Sequence, residues 1–333
     1  MSEPDVASRH PGVLNVYVRL MKLRVVLLLQ VTAISCLIVH DLLIRSGVLT
    51  GLQPSLTDTL LSSIVVIVGG TLAAGGSNAL NMVWERDLDP LMERTRNRPL
   101  PAGQITPRHA TVFGLVTAVL GTVIVSLPIR GEWAIAAGFW TAFSVLYYVL
   151  VYTIWLKRRT PQNIVIGGLA GATPPLIGWA AASATVPFSL DTLLLGSSIP
   201  WVLASLIFLW TPPHFWALSL WSQSDYEASG IPMMPNVHGV GRTLTEAKGY
   251  GVLLMLLPLG VLFASSDFIL LAWVAVACWL GAWYLGSIIT IPSTIQLGQR
   301  SPEALASFKR SLTYLGLMFL SILIAAIATL FRR

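Results

Sequence analysis

Charge is scarce in this chain. Of its 333 residues, 11% are Asp, Glu, Lys or Arg, whereas 55% are hydrophobic. A soluble domain carries about 25% charged residues. The composition therefore excludes an ordinary soluble globular protein, and it predicts a chain that lies largely within a lipid bilayer.

Cysteine is also scarce. The two cysteines, Cys36 and Cys278, fall within apolar runs, which excludes a disulfide framework and shows no metal-binding spacing. We interpret them as small buried hydrophobic side chains. Residues 1–24 contain acidic side chains and no purely apolar stretch, so they predict neither a cleaved signal peptide nor a transit peptide.

Long apolar runs recur along the rest of the chain, each near the ~20 residues needed to cross a bilayer core. The fold class predicted is all-α: a polytopic membrane protein of about nine transmembrane helices. A short Ser-Ser-Asp segment is all that separates the seventh run from the eighth, which leaves the count open there. We predict a cytoplasmic N-terminal segment at 1–24 and a single transmembrane domain at 25–331. The nine spans are predicted at 25–44, 60–83, 109–128, 133–154, 163–183, 198–220, 249–265, 268–290 and 312–331.

Basic residues are distributed unevenly between the two sides that nine spans define. Nearly all of the 21 lie at the N-terminus or in loops after even-numbered spans, and only Arg45, Arg130, Arg332 and Arg333 fall on the opposite side. Basic loops stay in the cytoplasm, so we predict a cytoplasmic N-terminus in a bacterial plasma (inner) membrane. The net charge of +6 then reflects topology in membrane lipid, and we expect no nucleic acid partner.

The loop after the second span concentrates carboxylates and arginines. Asn81, Glu85 and Asp89 are four residues apart, a spacing that places them on one face of a helix. Their oxygen atoms suit a hard cation such as Mg²⁺, and Arg94 and Arg98 suit phosphate oxygens. The alternative for this pattern is a solvated loop whose arginines determine the topology.

A second acidic loop follows the sixth span and contains Asp225. The topology places the two loops, 84–108 and 221–248, on the same side of the membrane, where they could close over one metal–diphosphate cluster. Lys157 and Arg158 lie in a basic loop between them. Adjacent bases are most often a topology signal, but these could also contact phosphate.

Two histidines lie near the same side. His214 is near the end of the sixth span, after two prolines and beside two aromatic residues. It fits a packed polar residue, an axial haem ligand or a proton carrier, and the residues alone favour the first. The role of His238, in the second loop, is similarly ambiguous.

These motifs resemble those of the UbiA superfamily of intramembrane prenyltransferases, whose first signature is Asn-xxx-Asp-xxx-Asp. Asn81-xxx-Glu85-xxx-Asp89 matches it, with glutamate in place of the first aspartate. The runs at 167–179 and 210–218 resemble motifs specific to the branch that farnesylates haem. The resemblance covers roughly residues 14–330.

The resemblance implies a UbiA-like helical bundle that transfers a farnesyl group from farnesyl diphosphate to the vinyl group of haem b, with addition of water. It implies Mg²⁺ as the cofactor, and a haem A synthase or an oxidase assembly factor as a candidate partner. The residues that it assigns are Asn81, Glu85, Asp89 and Asp225 for catalysis and metal binding, Arg94, Arg98, Lys157 and Arg158 for diphosphate, and His214 and His238 for haem.

Two other functions fit part of the pattern. The acceptor could be a quinone precursor or another aromatic compound, although the Pro-Pro-His-Phe-Trp element favours haem. Nine spans with two similar loops also resemble a transporter. Transporters, however, place their key polar groups near the bilayer midplane, and these carboxylates cluster at the cytoplasmic edge. We therefore predict an enzyme.

Overall fold

The computed structural model describes residues 12–93, 95–222, 230–263, 265–295 and 300–331. The protein is all-helical, with 76% of it in helix and no strand in the described residues. In that part of the chain, nine helical stretches are long and apolar enough to cross a bilayer. This confirms the predicted fold class and the number of spans.

The helices are numbered here in chain order. Three of them continue directly into a π- or 3₁₀-helical segment, and the sixth and seventh helices together make the fifth span. Their bounds are α1 Val13–Met21, α2 Leu23–Arg45, α3 Leu56–Trp84, α4 Pro107–Val125, α5 Ile135–Leu146 with a π-helix at Tyr147–Leu156, α6 Asn163–Ala172, α7 Pro174–Ala182, α8 Leu190–Leu193, α9 Ile199–Trp221, α10 Met234–Leu256 with a 3₁₀ helix at Leu257–Phe263, α11 Phe268–Ile289, and α12 Pro302–Ala328 with a 3₁₀ helix at Thr329–Phe331.

The seventh span begins earlier than predicted. Helix α10 starts at Met234 and is kinked at Gly239 (φ 79°, ψ 167°), so apart from this kink the residues 234–248, which were predicted in the loop 221–248, are helical. The charged side chains that suggested a loop lie on an outer face, where Arg242 pairs with Glu246 one turn later (3.0 Å). Apolar residues at helical spacing are buried on the opposite face, and this burial stabilises the helix.

The last span also begins earlier, at Pro302 instead of 312. The Ser301 hydroxyl accepts a hydrogen bond from the Ala304 N–H (3.1 Å), and Pro302 occupies the first helical position. Both features favour a helix start, and they were visible in the sequence.

Helices α3 and α4 make the most extensive helix–helix contact of the described chain. The contact depends on glycines. A Cβ atom at Gly69 would lie 2.7 Å from the carbonyl oxygen of Gly121, and one at Gly76 would lie 2.7 Å from the backbone nitrogen of Ala118. Small residues let membrane helices approach closely, since packing drives their association.

The bundle closes between its first and last spans, because α12 packs against both α2 and α9. The fifth span is the most buried of the nine, since α2, α5 and α9 all contact its second half, α7. This arrangement leaves two ends. The site end carries the loop 84–108, and the far end carries the connections α2–α3 and α4–α5.

A buried ion pair joins three segments at the far end. Arg130 donates two hydrogen bonds to Asp41 (2.9 and 2.7 Å) and one to Ser62 (2.9 Å). Thr59 donates to the same carboxylate (2.6 Å). The Arg130 and Asp41 side chains are each only 3% exposed. Arg130 therefore has a packing role that explains a basic residue on this side of the membrane.

We expect Arg130→Leu to lower the free energy of unfolding by about 3–5 kcal/mol, because it leaves the Asp41 carboxylate buried without its cation. Thermal unfolding in detergent micelles measures the loss. Arg45→Leu removes an exposed arginine from the same end and should change stability little. Equal effects of the two substitutions would contradict a structural role for the ion pair.

Candidate active site

The residues predicted from the first loop come together at the end of α3. Asn81, Glu85 and Asp89 are 1%, 4% and 2% exposed. Asn81 lies in the last turn of α3, Glu85 follows the helix end, and Asp89 begins a 3₁₀ turn. The backbone N–H groups of Glu85 and Asp89 donate to carbonyls four residues back (3.0 and 2.9 Å). The four-residue spacing therefore continues past the end of the helix.

Two of the predicted basic residues meet these carboxylates. A carboxylate at a helix C-terminus faces the negative end of the helix dipole, so Glu85 needs a cation beside it. Lys157 donates a hydrogen bond to Glu85. Arg98 lies 2.7 Å from an Asp89 oxygen and 3.8 Å from a Glu85 oxygen. The predicted Arg94 lies outside the described residues.

The two carboxylates differ in their electrostatic balance. Burial raises the pKa of Glu85, but attraction to Lys157 and Lys22 outweighs it, so the pKa falls below its ordinary value. Burial raises the pKa of Asp89 above its ordinary value, because attraction to Arg98 offsets only part of the effect. Asp89 also has a buried oxygen, Oδ2, without a hydrogen-bond partner among the described residues.

An unpaired buried oxygen costs about 1–3 kcal/mol, so Asp89 favours a further donor or cation. Within the described part of the chain, no three His, Cys, Asp or Glu side chains lie close enough to hold a metal ion. The oxygen donors that converge here are one amide and two carboxylates, which is a ligand set of the kind that Mg²⁺ prefers when water or phosphate completes it.

Lys22 also belongs to this cluster, although its position in the sequence indicated only topology. Its ammonium group donates to the amide oxygen of Asn81 (2.8 Å). Lys22 joins α1 to α2 in a left-handed conformation (φ 52°, ψ 50°). Arg19, in α1, donates a hydrogen bond to the Gln104 side chain in the first loop (3.1 Å). Burial, reinforced by repulsion from Arg98, lowers the pKa of Lys22 to about 7. Its position directly before the first span was the only signal in the sequence.

Thr153 is a second residue that sequence reasoning missed. Its hydroxyl accepts a hydrogen bond from the Asn81 amide (3.2 Å). Thr153 lies in the π-helix that continues α5, and the backbone N–H of Lys157 donates to the carbonyl of Tyr152, five residues back (2.9 Å). Short π-helical segments are frequent at functional sites. The apolar sequence of this segment does not distinguish a π-helix from an α-helix.

Arg158 lies outside the buried cluster. It donates two hydrogen bonds to Asp87 (2.8 and 2.7 Å) and one to the Trp84 carbonyl (2.9 Å). The side chain of Asp87 is 58% exposed. Arg158 therefore connects the ends of α3 and α5 at the surface, and its contact with diphosphate stays a prediction.

The described end of the second loop lies beside the first loop. Asp225 itself, with the rest of 223–229, lies outside the described residues. The Asn163 amide donates to the carbonyl of Pro232 (3.1 Å), and Ile231 packs in one cluster with Met92 of the first loop. The end of the second loop is thus adjacent to the first loop, and a site shared with Asp225 stays a prediction.

His214 is buried between α9 and α12, apart from the charged cluster. Its ring is stacked between Trp210 and Phe308, with centroids at 4.1 and 4.7 Å, and Nδ1 lies 2.6 Å from the Ser311 hydroxyl. That hydroxyl donates to the Phe308 carbonyl (2.6 Å), so it accepts from Nδ1–H, and Nε2 carries the lone pair. His238 is exposed near the start of α10. The haem-binding role of either histidine stays a prediction.

An apolar bundle with buried carboxylates, an amide and basic residues at one end defines an intramembrane enzyme that acts on a charged, lipid-like substrate. The chain belongs to the UbiA prenyltransferase family, whose model matches residues 46–323.

Curated relatives extend along most of the chain. A protoheme IX farnesyltransferase of Bartonella henselae is 45% identical over 253 residues, which cover 76% of this chain and 72% of the relative. One of Azorhizobium caulinodans is 37% identical over 325 residues, which cover 96% and 95%.

Solved structures share the fold. A digeranylgeranylglyceryl phosphate synthase structure has a TM-score of 0.68 at 17% identity, covering 95% of this chain and 99% of that chain. A UbiA homolog from Archaeoglobus fulgidus bound to GPP and Mg²⁺ has a TM-score of 0.59 at 16% identity, with the same coverage. At these identities the likeness shows the fold alone.

The lowered pKa of Lys22 predicts that anion binding at this cluster depends on pH. Its ammonium loses its proton as the pH rises through about 7, so a bound anion then loses one of its cations. We expect wild-type protein to bind inorganic diphosphate about tenfold more tightly than Lys22→Gln at pH 6. This advantage should shrink as the pH rises above 7, although a bound anion will itself raise the pKa.

Isothermal titration calorimetry on both proteins from pH 6 to 9 measures the ratio of their diphosphate affinities. The protonation of diphosphate itself affects both affinities equally and cancels in this ratio. Arg24→Gln, which removes an exposed charge two residues away, is the control and should match wild type throughout. A wild-type to Lys22→Gln ratio that does not vary with pH would exclude a titrating Lys22.

Proposed function

We propose that this protein transfers the farnesyl group of farnesyl diphosphate to a vinyl group of haem b, with addition of water, giving haem O and diphosphate. This is the activity of a protohaem IX farnesyltransferase (haem O synthase). The observation that carries the prenyl-transfer half is the convergence of Lys22, Arg98 and Lys157 on Asn81, Glu85 and Asp89. The acceptor rests on relatives of that name at 37–45% identity.

The charge arrangement favours a ligand that carries both signs. Each base of the cluster contacts an acid or an amide of α3 or the turn after it, and separating a buried ion pair leaves charges uncompensated. A metal–diphosphate complex avoids this cost. Its cation can bind the carboxylates in place of the basic side chains, and its diphosphate can bind those basic side chains. The fold is compatible with such a complex, since the UbiA homolog from Archaeoglobus fulgidus, which shares it, is bound to GPP and Mg²⁺ in its solved structure.

The oxygen atoms of Asn81, Glu85 and Asp89 fit Mg²⁺. The Oδ2 atom of Asp89, which has no hydrogen-bond partner among the described residues, is the one that most needs a cation. Bound Mg²⁺ would supply neutralisation of the charge that develops on the leaving diphosphate. Asp225 is a further proposed ligand. Arg94, Arg98, Lys157 and Arg158 are the proposed diphosphate contacts, and to these we add Lys22.

The chemistry needs no covalent enzyme intermediate. The bond between C1 of the farnesyl group and the diphosphate oxygen breaks, and its electron pair leaves with diphosphate. The vinyl π electrons of haem b then form the new carbon–carbon bond. Water adds to the resulting cation beside the porphyrin ring and releases one proton to solvent. The residues of the cluster bind and orient the diphosphate, and the apolar bundle excludes water from the cation until the acceptor has reacted.

The location follows from the same arrangement. The protein is a multi-pass membrane protein, and we propose that the site end faces the bacterial cytoplasm, because the basic residues concentrate there. A haem A synthase or an oxidase assembly factor stays a predicted partner from the sequence alone.

The central test is the substitution Asp89→Asn. We expect it to reduce turnover about a hundredfold to a thousandfold, because an amide cannot carry the charge that a metal and the leaving group require. Purified protein receives haem b, farnesyl diphosphate and Mg²⁺, and the products are resolved by mass. Removing the metal with a chelator should abolish the reaction.

The matched control for that test is Asp87→Asn, which makes the same chemical change two residues away on an exposed carboxylate paired with Arg158. It should retain most of its activity. Equal activity of folded Asp89→Asn and Asp87→Asn proteins would rule out the metal role. Farnesylation of a quinone precursor in place of haem b would establish the alternative acceptor.

His214 tests the haem half of the proposal. If its ring binds haem, His214→Ala should weaken haem binding about tenfold or more and leave farnesyl diphosphate binding unchanged. Titration of haem by its absorbance band, on protein shown to be folded, measures this. His238→Ala is the comparison. A loss of stability with unchanged haem affinity would assign His214 to packing and leave His238 as the haem candidate.

A further inference from the structure

The π-helix at Tyr147–Leu156 changes which side chains face the site. Residues five apart are joined by hydrogen bonds in a π-helix and lie on nearly the same face, whereas five residues overshoot an α-helical turn by about 140°. The hydroxyl of Thr153 donates to the carbonyl of Tyr148, five residues back (2.8 Å). The winding therefore brings Tyr148 onto the same face as Thr153, which contacts Asn81. In an α-helix these two side chains would point in well-separated directions.

Tyr148 is fixed directly beneath the charged cluster. Its hydroxyl donates to the Asn78 amide oxygen (3.4 Å), and the Asn78 amide nitrogen donates to the carbonyl of Met21, beside Lys22 (3.0 Å). Asn78 lies three residues before Asn81, which is about 4.5 Å deeper along α3. The Tyr148 ring is thus one helical turn below the groups that would hold a diphosphate.

A second aromatic ring supports this position. The rings of Tyr148 and Tyr152 lie 5.5 Å apart between centroids at an angle of 32°. The backbone of α6 packs closely against Tyr152 at Gly167. A Cβ atom added at Gly167 would lie 2.9 Å from the Cγ atom of Tyr152. Tyr148 is therefore held from the α3 side by a hydrogen bond and on the α5 side by a ring that cannot move toward α6.

The level of the Tyr148 ring matches the position of the reacting carbon. A prenyl chain is apolar, so it must extend from the cluster into the bundle, away from Lys22, Arg98 and Lys157. The first carbons of the chain then lie just below the diphosphate oxygens, which is the level of Asn78 and Tyr148. When the carbon–oxygen bond breaks, positive charge spreads over C1 and C3 of the allylic group. The face of an aromatic ring attracts such charge, most strongly where water is excluded.

We propose that Tyr148 is a catalytic residue whose ring contacts the allylic carbons of the prenyl diphosphate and stabilises their positive charge. The bond to Asn78 orients the ring, and the π-helical winding of the fourth span brings it into the site. This inference rests on the proposed prenyl transfer. It adds a specific cation-stabilising group to the residues that bind the leaving diphosphate.

The test replaces the ring in graded steps. We expect Tyr148→Phe to retain activity within a few-fold, and Tyr148→Leu to lower kcat about tenfold to hundredfold, with KM for farnesyl diphosphate changed little. Phenylalanines with one, two and three ring fluorines, introduced at position 148, keep the shape but weaken the negative ring face. For these, log kcat should fall stepwise with each fluorine.

The matched control is Tyr147, the preceding residue, whose hydroxyl donates to the carbonyl of Ile166 in α6 (3.2 Å). The same substitutions at 147 should show no trend with fluorine number. A flat series at 148 would overturn the proposal even if Tyr148→Leu is inactive, because a ring needed only for packing is indifferent to its fluorines. A Tyr148→Leu variant that loses inorganic diphosphate binding as severely as turnover would also overturn it.

A second readout separates this inference from the proposed function. Slow release of diphosphate from farnesyl diphosphate, measured without haem, reports bond ionisation and needs no acceptor other than water. A fluorine trend in this release without farnesylation of haem would support Tyr148 and contradict the proposed acceptor. Farnesylation of haem without a trend in either assay would support the proposed function and reject the role of Tyr148.

Discussion

Buried carboxylates at the end of α3 require cations beside them, and the structure of the site end follows from that requirement. Glu85 lies in a low-dielectric environment at the negative end of a helix dipole. Its charge is tolerated because Lys157 and Arg98 reach it from two distant segments. Lys22 completes the group through Asn81. The junction of α1 and α2, the first loop and the end of the fourth span are thereby held at one point.

The two ends of the bundle use ion pairs differently. At the far end, Asp41 accepts two hydrogen bonds from Arg130 and one from Thr59, so the pair is saturated. At the site end, one oxygen of Asp89 has no partner among the described residues, and burial raises its pKa. A saturated pair stabilises the fold, whereas an incomplete one leaves an acceptor oxygen for a ligand. This difference favours the site end as the place of binding.

The chemistry of the bundle is layered along its axis. Charged groups lie at the end of α3, and the Asn78–Tyr148 pair lies one turn deeper. Apolar helices follow below. The proposed substrate, a prenyl diphosphate with a charged head, a reactive first carbon and a hydrocarbon tail, matches these layers in the order of its own parts. This correspondence explains why the enzyme is built within the membrane, where a prenyl chain is already dissolved.

The sequence by itself determined the fold class, the number of spans and the grouping of Asn81, Glu85 and Asp89. It could do so because apolar run length and four-residue spacing are local properties of the chain. Tertiary structure decided which bases meet those residues. Arg158 pairs with the exposed Asp87. Lys22, whose position in the sequence indicated only topology, contacts Asn81 in the cluster. Tertiary structure also decided the π-helical winding that turns Tyr148 and Thr153 toward α3. Helix winding and the partner of a charged side chain depend on packing between distant segments, and no local pattern encodes that packing.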